Sequence, residues 1–533
     1  MNDRIHSLAR AALVSAAVLC PWPASAIVTL GRDIELEGFV QAQNLLRTPK
    51  FEDAEAIMQR NTAQVEGKYY FLRDGVAFNR FDTGPLEEAT LNVIGRAVYD
   101  SIYDVRDSYD DAFTESGKNR WYEYKFREAF VDFVLPPFSL RLGKQQVVWG
   151  ETDNFRALDI INPLDLTWHW SRESWEDIRI PLWMARGIYD IGKFGFLEES
   201  FFEAIWIPAD FKPNKVSTDP RRPWAFLGDG LPEAANSVVI ANQAYDLAFH
   251  LRDRSPDRKL ANGQGGFRFK AIWGEIDFSL NYFYGFSADP GVKMRNQLFN
   301  INGTTAHVFG DLVNPRQHTL GLTANYSEER FTQAVFRLET AFTTDVPVAV
   351  APGAPAAVDP EGDQYETADR TTVMVAADRP TWIPWLNKDR TFFLSTQVFW
   401  RRWIDYDESF RGPSSVHRAM IGGQVLPGRF VSVQDDTIDQ NEFVITFSAS
   451  SSYGPAGLIK PLFVFAIDPR STGAYNRFQV EYLYTNHIMF RVQQDIYWQI
   501  HDNNVGPWGL GDIWGHDSEQ SRHETNFTVI FQF

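Results

Sequence analysis

The last nine residues alternate without a break. Phe527, Val529, Phe531 and Phe533 share one face; Asn526, Thr528, Ile530 and Gln532 share the other. Side chains on a strand alternate between faces, so this is a strand with one apolar side. The same period returns along the chain in segments of about ten residues. In 488–500, Ile488, Phe490, Val492, Ile496, Trp498 and Ile500 oppose Arg491, Gln493, Asp495 and Gln499. In 390–402, Phe392, Leu394, Val398 and Trp400 oppose Ser395, Gln397 and Arg401. Helical periodicity is scarce. One apolar face common to so many strands covers a sandwich core or faces lipid.

Connection lengths separate these alternatives. Eighteen strands are expected, the first at 34–42 and the last at 525–533. Long connections, such as 43–63, 101–120, 149–181, 208–263, 342–368 and 501–524, alternate with short ones such as 135–137, 192–195 and 485–487. Two, 73–88 and 378–389, exceed the pattern, and 469–474 falls below it. A transmembrane barrel requires this alternation: long outer loops, short periplasmic turns and an even strand number. The expected fold is therefore an all-β, antiparallel up-and-down transmembrane β-barrel over 27–533, of about 18 strands, with 16 as the other count considered. Tyr69, Tyr70, Tyr99, Trp121, Tyr122, Tyr284, Trp400, Trp403, Tyr482, Tyr484 and Trp498 fall near strand ends, where amphipathic rings form girdles at a water–lipid boundary.

Composition narrows the rest. Aromatic residues make up 15% of the chain, against disorder. One Cys excludes a disulfide scaffold. A net charge of −18 disfavours nucleic acid as a partner, because phosphate contacts need clustered cations. Hydrophobic residues reach 44%, yet no window holds 18 consecutive apolar residues, so membrane-spanning helices are excluded. Arg4 and Arg10 precede an apolar run from Ala11 to Cys20, then Pro21, Pro23 and a small-residue site at Ala24-Ser25-Ala26. This is expected to be a secretory signal peptide over 1–26.

Two stretches carry resemblances. The terminal strand ending in Phe533, with Phe531 before it, resembles the assembly signal of outer-membrane barrels, which implies recognition by the barrel-assembly machinery. Arg141-Leu142-Gly143-Lys144-Gln145-Gln146-Val147-Val148-Trp149-Gly150-Glu151, leading into 159–165, resembles a family of gram-negative outer-membrane proteins known only as a domain of unknown function. Its members are often encoded near resistance-nodulation-division-type transporters. The resemblance implies an outer-membrane location and passage of hydrophobic compounds through the envelope. It also implies contact with outer-membrane lipid and lipopolysaccharide, and with an envelope transporter system.

Two candidate sites follow. Segment 149–181 packs Trp149, Glu151, Asp153, Arg156, Asp159, Asp165, Trp168, His169 and Trp170 into one connection. So many rings and charges suit a segment folded into the lumen as a constriction, its charges met by wall residues and its Trp faces open to an amphipathic ligand; the other reading is a loop packed on its neighbours. The second is the last long hairpin. Lipid-facing residues are even-numbered on both strands, so facing pairs need an even index sum, and a three-residue turn at 485–487 supplies it. That register sets Glu481 opposite Arg491 and Arg477 opposite Asp495 on the lumen wall.

No Gly-x-Ser-x-Gly or His-Glu-x-x-His motif is present, so no catalytic residue, metal or cofactor is expected. The expected function is a channel or transporter for small hydrophobic or amphipathic compounds. The alternatives are a general or solute-selective porin and a surface adhesion barrel.

Overall fold

The computed structural model describes residues 27–51, 54–105, 122–153, 155–167, 173–215, 237–240, 243–294, 300–350, 365–411, 438–500, 508, 510–511 and 521–533. The expected signal peptide at 1–26 lies outside the described residues, as do Trp121, Trp168, His169 and Trp170.

Eighteen strands close into one antiparallel barrel. They are β1 (Ile34–Arg47), β2 (Glu55–Arg73), β3 (Glu88–Asp100), β4 (Tyr122–Leu135), β5 (Phe138–Gln145), β6 (Leu182–Asp190), β7 (Glu199–Ile207), β8 (Gln264–Trp273), β9 (Ile276–Phe286), β10 (Arg316–Glu328), β11 (Ala334–Val350), β12 (Tyr365–Thr381), β13 (Phe392–Trp403), β14 (Asn441–Ser450), β15 (Ile459–Ile467), β16 (Gly473–Leu483), β17 (Ile488–Gln499) and β18 (Glu524–Gln532). Each pairs with its neighbours in sequence, and β18 pairs back onto β1 from Arg47↔Glu524 to Phe39↔Gln532. Gly38 and Phe533 exchange backbone hydrogen bonds of 2.9 Å each at the seam. Closure leaves no sheet edge along that seam, which a hydrocarbon environment demands.

Side-chain parity divides inside from outside. On β17, Phe490 and Val492 are exposed, while Gln493, Asp495 and Tyr497 are buried. On β18, Phe527 is exposed, while Asn526, Thr528 and Ile530 are buried. The exposed face is thus the apolar one, the reverse of a water-soluble sheet. Exposed rings gather at both ends of the strands. Tyr122, Tyr124, Trp183, Trp206 and Tyr284 mark the end carrying the long loops. Phe138, Tyr189, Trp273, Tyr326, Tyr482 and Tyr484 mark the end carrying the short turns, the start of β1 and the end of β18. Trp403 departs from the expected girdle. It lies on the inward parity of β13 and is buried against Phe410 and Val348.

Several strands run further than expected at the long-loop end. β1 and β2 leave only 48–54 between them, not 43–63. Their extensions turn Leu45, Ile57 and Met58 inward, onto Ile102 and Tyr103 of a short helix, Ile102–Val105. β11 and β12 likewise reduce 342–368 to 351–364. The long turn at 73–88 contains a small hairpin, Val76–Ala77 with Phe81–Asp82. Two adjacent long loops, 208–263 and 287–315, build a second sheet, in which Gln243–Asp253 runs parallel to Thr305–Val313.

Candidate lumen site

The connection between β5 and β6 leaves the wall as two limbs tied by one buried side chain. Asn162 Nδ2 donates to the carbonyls of Gln145 at 3.3 Å and Ile180 at 3.0 Å, while its Oδ1 accepts the Val147 N–H at 2.8 Å. An antiparallel bridge, Leu164↔Arg179, joins the limbs again. Ser174 caps the helical turn Trp175–Ile178 by accepting the Asp177 N–H.

From this root the segment runs across the interior. Trp149, 1% exposed, packs with Val147, Ile161, Leu182, Ile205 and Phe283. Its indole N–H donates to Glu203 Oε1 of β7 at 3.2 Å. Glu203 is fully buried and also receives Arg186 at 2.8 Å and Arg268 at 2.6 Å, so its charge is matched from both flanking strands. Further on, the segment docks on the opposite wall. Glu339 of β11, also fully buried, accepts the backbone N–H groups of Glu151 and Leu158 at 2.6 Å each. Leu158 presses against Gly321 of β10, where any side chain would collide with it. The Glu151 carboxylate meets Asn325, and its carbonyl accepts Arg337 Nη1 at 2.6 Å. Asp153 accepts from Arg337 at 2.7 Å and from Gln397 of β13 at 2.6 Å.

The rest of the segment turns toward the other flank. Asp159 is gripped by Arg156 at 3.1 Å and Arg179 at 2.7 Å. Burial pulls the Arg156 guanidinium below its ordinary range, and the Asp159 carboxylate opposes that shift. Arg96 of β3 pairs with Asp177 at 3.0 Å, and Arg60 of β2 pairs with Glu173. Asp165 is set apart from the Glu339 anchor, near Lys215 at 3.4 Å. The segment therefore touches walls from β2 to β13.

A second long loop meets it. Trp508 lies 5.3 Å from Phe155, edge to face, and both contact Phe399. Arg401 sits over the Trp508 ring at 3.9 Å. This cluster, with Met374, Val444 and Ala466, occupies the inward faces of β12 to β15.

One sequence expectation changes here. Trp149 presents no open face to a ligand; packing and the Glu203 bond consume it. Asp159 is held between two guanidinium groups. The rings meeting in the interior are instead Phe155 and Trp508. The anchors Glu203, Glu339 and Arg337 were also not anticipated. Parity alone could have found the acids, since each is an isolated carboxylate on the inward face of an expected strand.

The final hairpin follows the expected register. Its connection is 484–487, with Glu481↔Arg491 and Arg477↔Asp495 directly opposed. Arg491 Nε donates to Glu481 at 2.8 Å, and Arg477 Nε to Asp495 at 2.9 Å. Tyr475 adds a 2.6 Å hydrogen bond to Asp495. Toward the short-turn end, Lys460 of β15 stands beside Glu481 in register. These two border a cavity of about 460 Å³, with Phe393, Leu462 and Gln479 in its lining.

A family described as a protein of unknown function, DUF1302, matches residues 81–531. The chain belongs to that family. No curated protein matches it. Among solved structures, it is similar to OccAB1 of Acinetobacter baumannii, with 9% identity, 94% of this chain and 97% of that chain covered, and a TM-score of 0.44. OccAB4 of the same organism gives 7%, 94%, 98% and 0.45. A loop-L8 deletion mutant of OmpT, an outer membrane protein of Vibrio cholerae, gives 8%, 96%, 100% and 0.35. In this DUF1302 chain the family span contains the whole segment 146–181 and both of its buried wall acids.

Proposed function

We propose that this barrel is an outer-membrane channel for small amphipathic or hydrophobic compounds, narrowed by segment 146–181. The carrying observation is the run of contacts from Asn162 at β5 and β6 to Glu339 and Gln397 on β11 and β13. A barrel of this size holds an aqueous bore unless loops fill it. Here a charged and aromatic segment lies across that bore. Phe155, Trp508 and Phe399 offer apolar surface beside Arg401, Arg337 and Asp153, a mixture suited to a molecule with an apolar body and a polar end.

In this reading the long-loop end faces outward and the short-turn end faces the periplasm. The rings at each end rest at the lipid headgroups, with lipopolysaccharide around the outer one. The terminal strand is the handle for the barrel-assembly machinery, and an envelope transporter system is the partner for onward movement. No catalytic step is part of the proposal.

A solute-selective porin is the second reading, favoured by the charge-paired wall at Arg477–Asp495 and Glu481–Arg491. Proteoliposome swelling separates the two. The channel reading expects benzoate to enter faster than a sugar of similar size. Faster entry of the sugar, or rates that follow solute charge and not apolar character, would favour the porin.

A further inference from the structure

β4 and β5 part company partway up the wall. β3 pairs with β4 along its length, from Glu88↔Val134 to Tyr99↔Tyr122. β5 pairs with β4 only from Leu135↔Phe138 to Ala129↔Lys144. Beyond that point, Glu123–Glu128 has a strand on one side only among the described residues. At about 3.3 Å per residue, this edge runs for roughly 17 Å.

The fork has a local cause in Arg141-Leu142-Gly143-Lys144. Gly143 has φ +142°, and a Cβ there would lie 2.6 Å from Phe130 Cα and closer still to the Ala129 carbonyl. Only glycine permits that approach. Immediately after it the chain leaves β4 and begins the inward limb at Gln146.

The outward side of the fork is apolar around Lys144, with Asp210 nearby, which accepts the Trp183 N–H at 2.9 Å and pairs with Lys212 at 3.3 Å. Tyr124 and Phe126 are 73% and 69% exposed, and Leu142 and Trp183 join them. Lys144 shares the outward parity of Leu140 and Leu142, and its Nζ reaches the free edge to donate to the Phe126 carbonyl at 2.8 Å. The acids of β4, Glu123, Glu128 and Asp132, fall on the inward side, where Glu123 meets Lys125, Glu128 accepts from Gln146 and Asp132 pairs with Arg141. Behind the edge, Arg127 donates to the Asp177 and Arg179 carbonyls of the infolded segment. A strand edge and an ammonium in a largely apolar rim are costly in hydrocarbon unless a polar group meets them.

We propose that this notch binds a single-chain amphiphilic carboxylate from the outer leaflet, giving it side access to the lumen. The carboxylate sits on Lys144, and the chain lies along Phe126, Tyr124 and Trp183. The site rests on the channel reading for its purpose but not for its binding chemistry.

Leu140→Cys, on the outward face of β5 below the notch, supplies a labelling position, since Cys20 is the sole native cysteine and lies within 1–26. The full barrel, labelled there with a polarity-sensitive fluorophore, is placed in phosphatidylcholine vesicles and titrated with dodecanoate. Saturable binding is expected. Lys144→Gln should weaken it roughly tenfold, Lys144→Arg should retain it, and Lys193→Gln at a distant exposed turn should leave it unchanged. Heat-dependent gel mobility checks that each variant is a folded barrel. Equal responses to dodecyltrimethylammonium, to butyrate or to added phosphatidylglycerol would overturn the proposal, as would indifference to Lys144→Gln. Benzoate permeation is read in the same vesicles. Permeation with a silent label defeats the notch alone; a responding label without permeation defeats the channel alone.

Discussion

The Glu339 carboxylate accepts the Leu158 backbone N–H at 2.6 Å, joining the inner wall of β11 to a segment that enters from β5. Its second oxygen accepts Glu151 N–H at the same distance, so one side chain fastens both sides of a bend. Glu339→Gln keeps the shape but leaves only one carbonyl oxygen to accept. Each lost bond of this kind costs about 1–3 kcal/mol where the donor stays buried. Amide hydrogen exchange at Glu151 and Leu158 should rise about tenfold or more, with exchange in β11 itself unchanged. Equal loosening of the whole barrel would show that Glu339 serves the wall and not the segment.

The two charge pairs of the last long hairpin should behave differently. Asp495 is fully buried, so Arg477→Ala strands a charge and costs about 3 kcal/mol, softened by the Tyr475 and Gln493 bonds. Glu481 and Arg491 are each 20% or more exposed, and Arg491→Ala should cost less than about 1 kcal/mol. Urea unfolding from lipid vesicles measures both. A cost at Arg491 as large as at Arg477 would contradict this ranking.

Much of this architecture was legible because one physical rule controls it. Lipid outside and water or protein inside force period two on every strand, so all eighteen strands could be placed from alternation and connection length. The hairpin register followed from parity alone, as Glu481↔Arg491 shows. Strand ends were less legible at the long-loop side. There Leu45 and Ile57 face a protein cluster, so the alternation that marks a lipid boundary no longer applies. The interior was least legible. Trp149 offered the same sequence signal whether it faced a ligand or a core. Its burial depends on Glu203, 54 residues away, and no local pattern reports that partner.

Trp508 should act on passage more than on stability. It touches Phe155 from the other infolded loop and lies under Arg401. Trp508→Ala removes that ring from the interior while the barrel strands stay paired. Benzoate flux should increase several-fold with little change in the unfolding midpoint. A large fall in midpoint with unchanged flux would assign the ring a purely structural part.

The seam gives a separate prediction on assembly. Phe533 holds Gly38 through paired 2.9 Å backbone bonds, and its ring lies where a side chain at Gly38 would stand. Phe533→Ala keeps those backbone groups and removes the ring, forfeiting roughly 2 kcal/mol of burial. The heat-modifiable, folded fraction recovered from membranes should fall several-fold. Unchanged recovery would mean that the ring is dispensable for closure and for assembly.

Single-channel conductance in planar bilayers tests the infolded constriction most directly. The native barrel is compared with one in which 151–177, Asn162 included, is replaced by a short Gly-Ser linker that joins Gly150 to Ile178. Removal of the segment should raise conductance about tenfold, toward that of an open barrel of this strand number. Equal conductance in the two proteins would contradict the assignment of segment 146–181 as the element that narrows the bore.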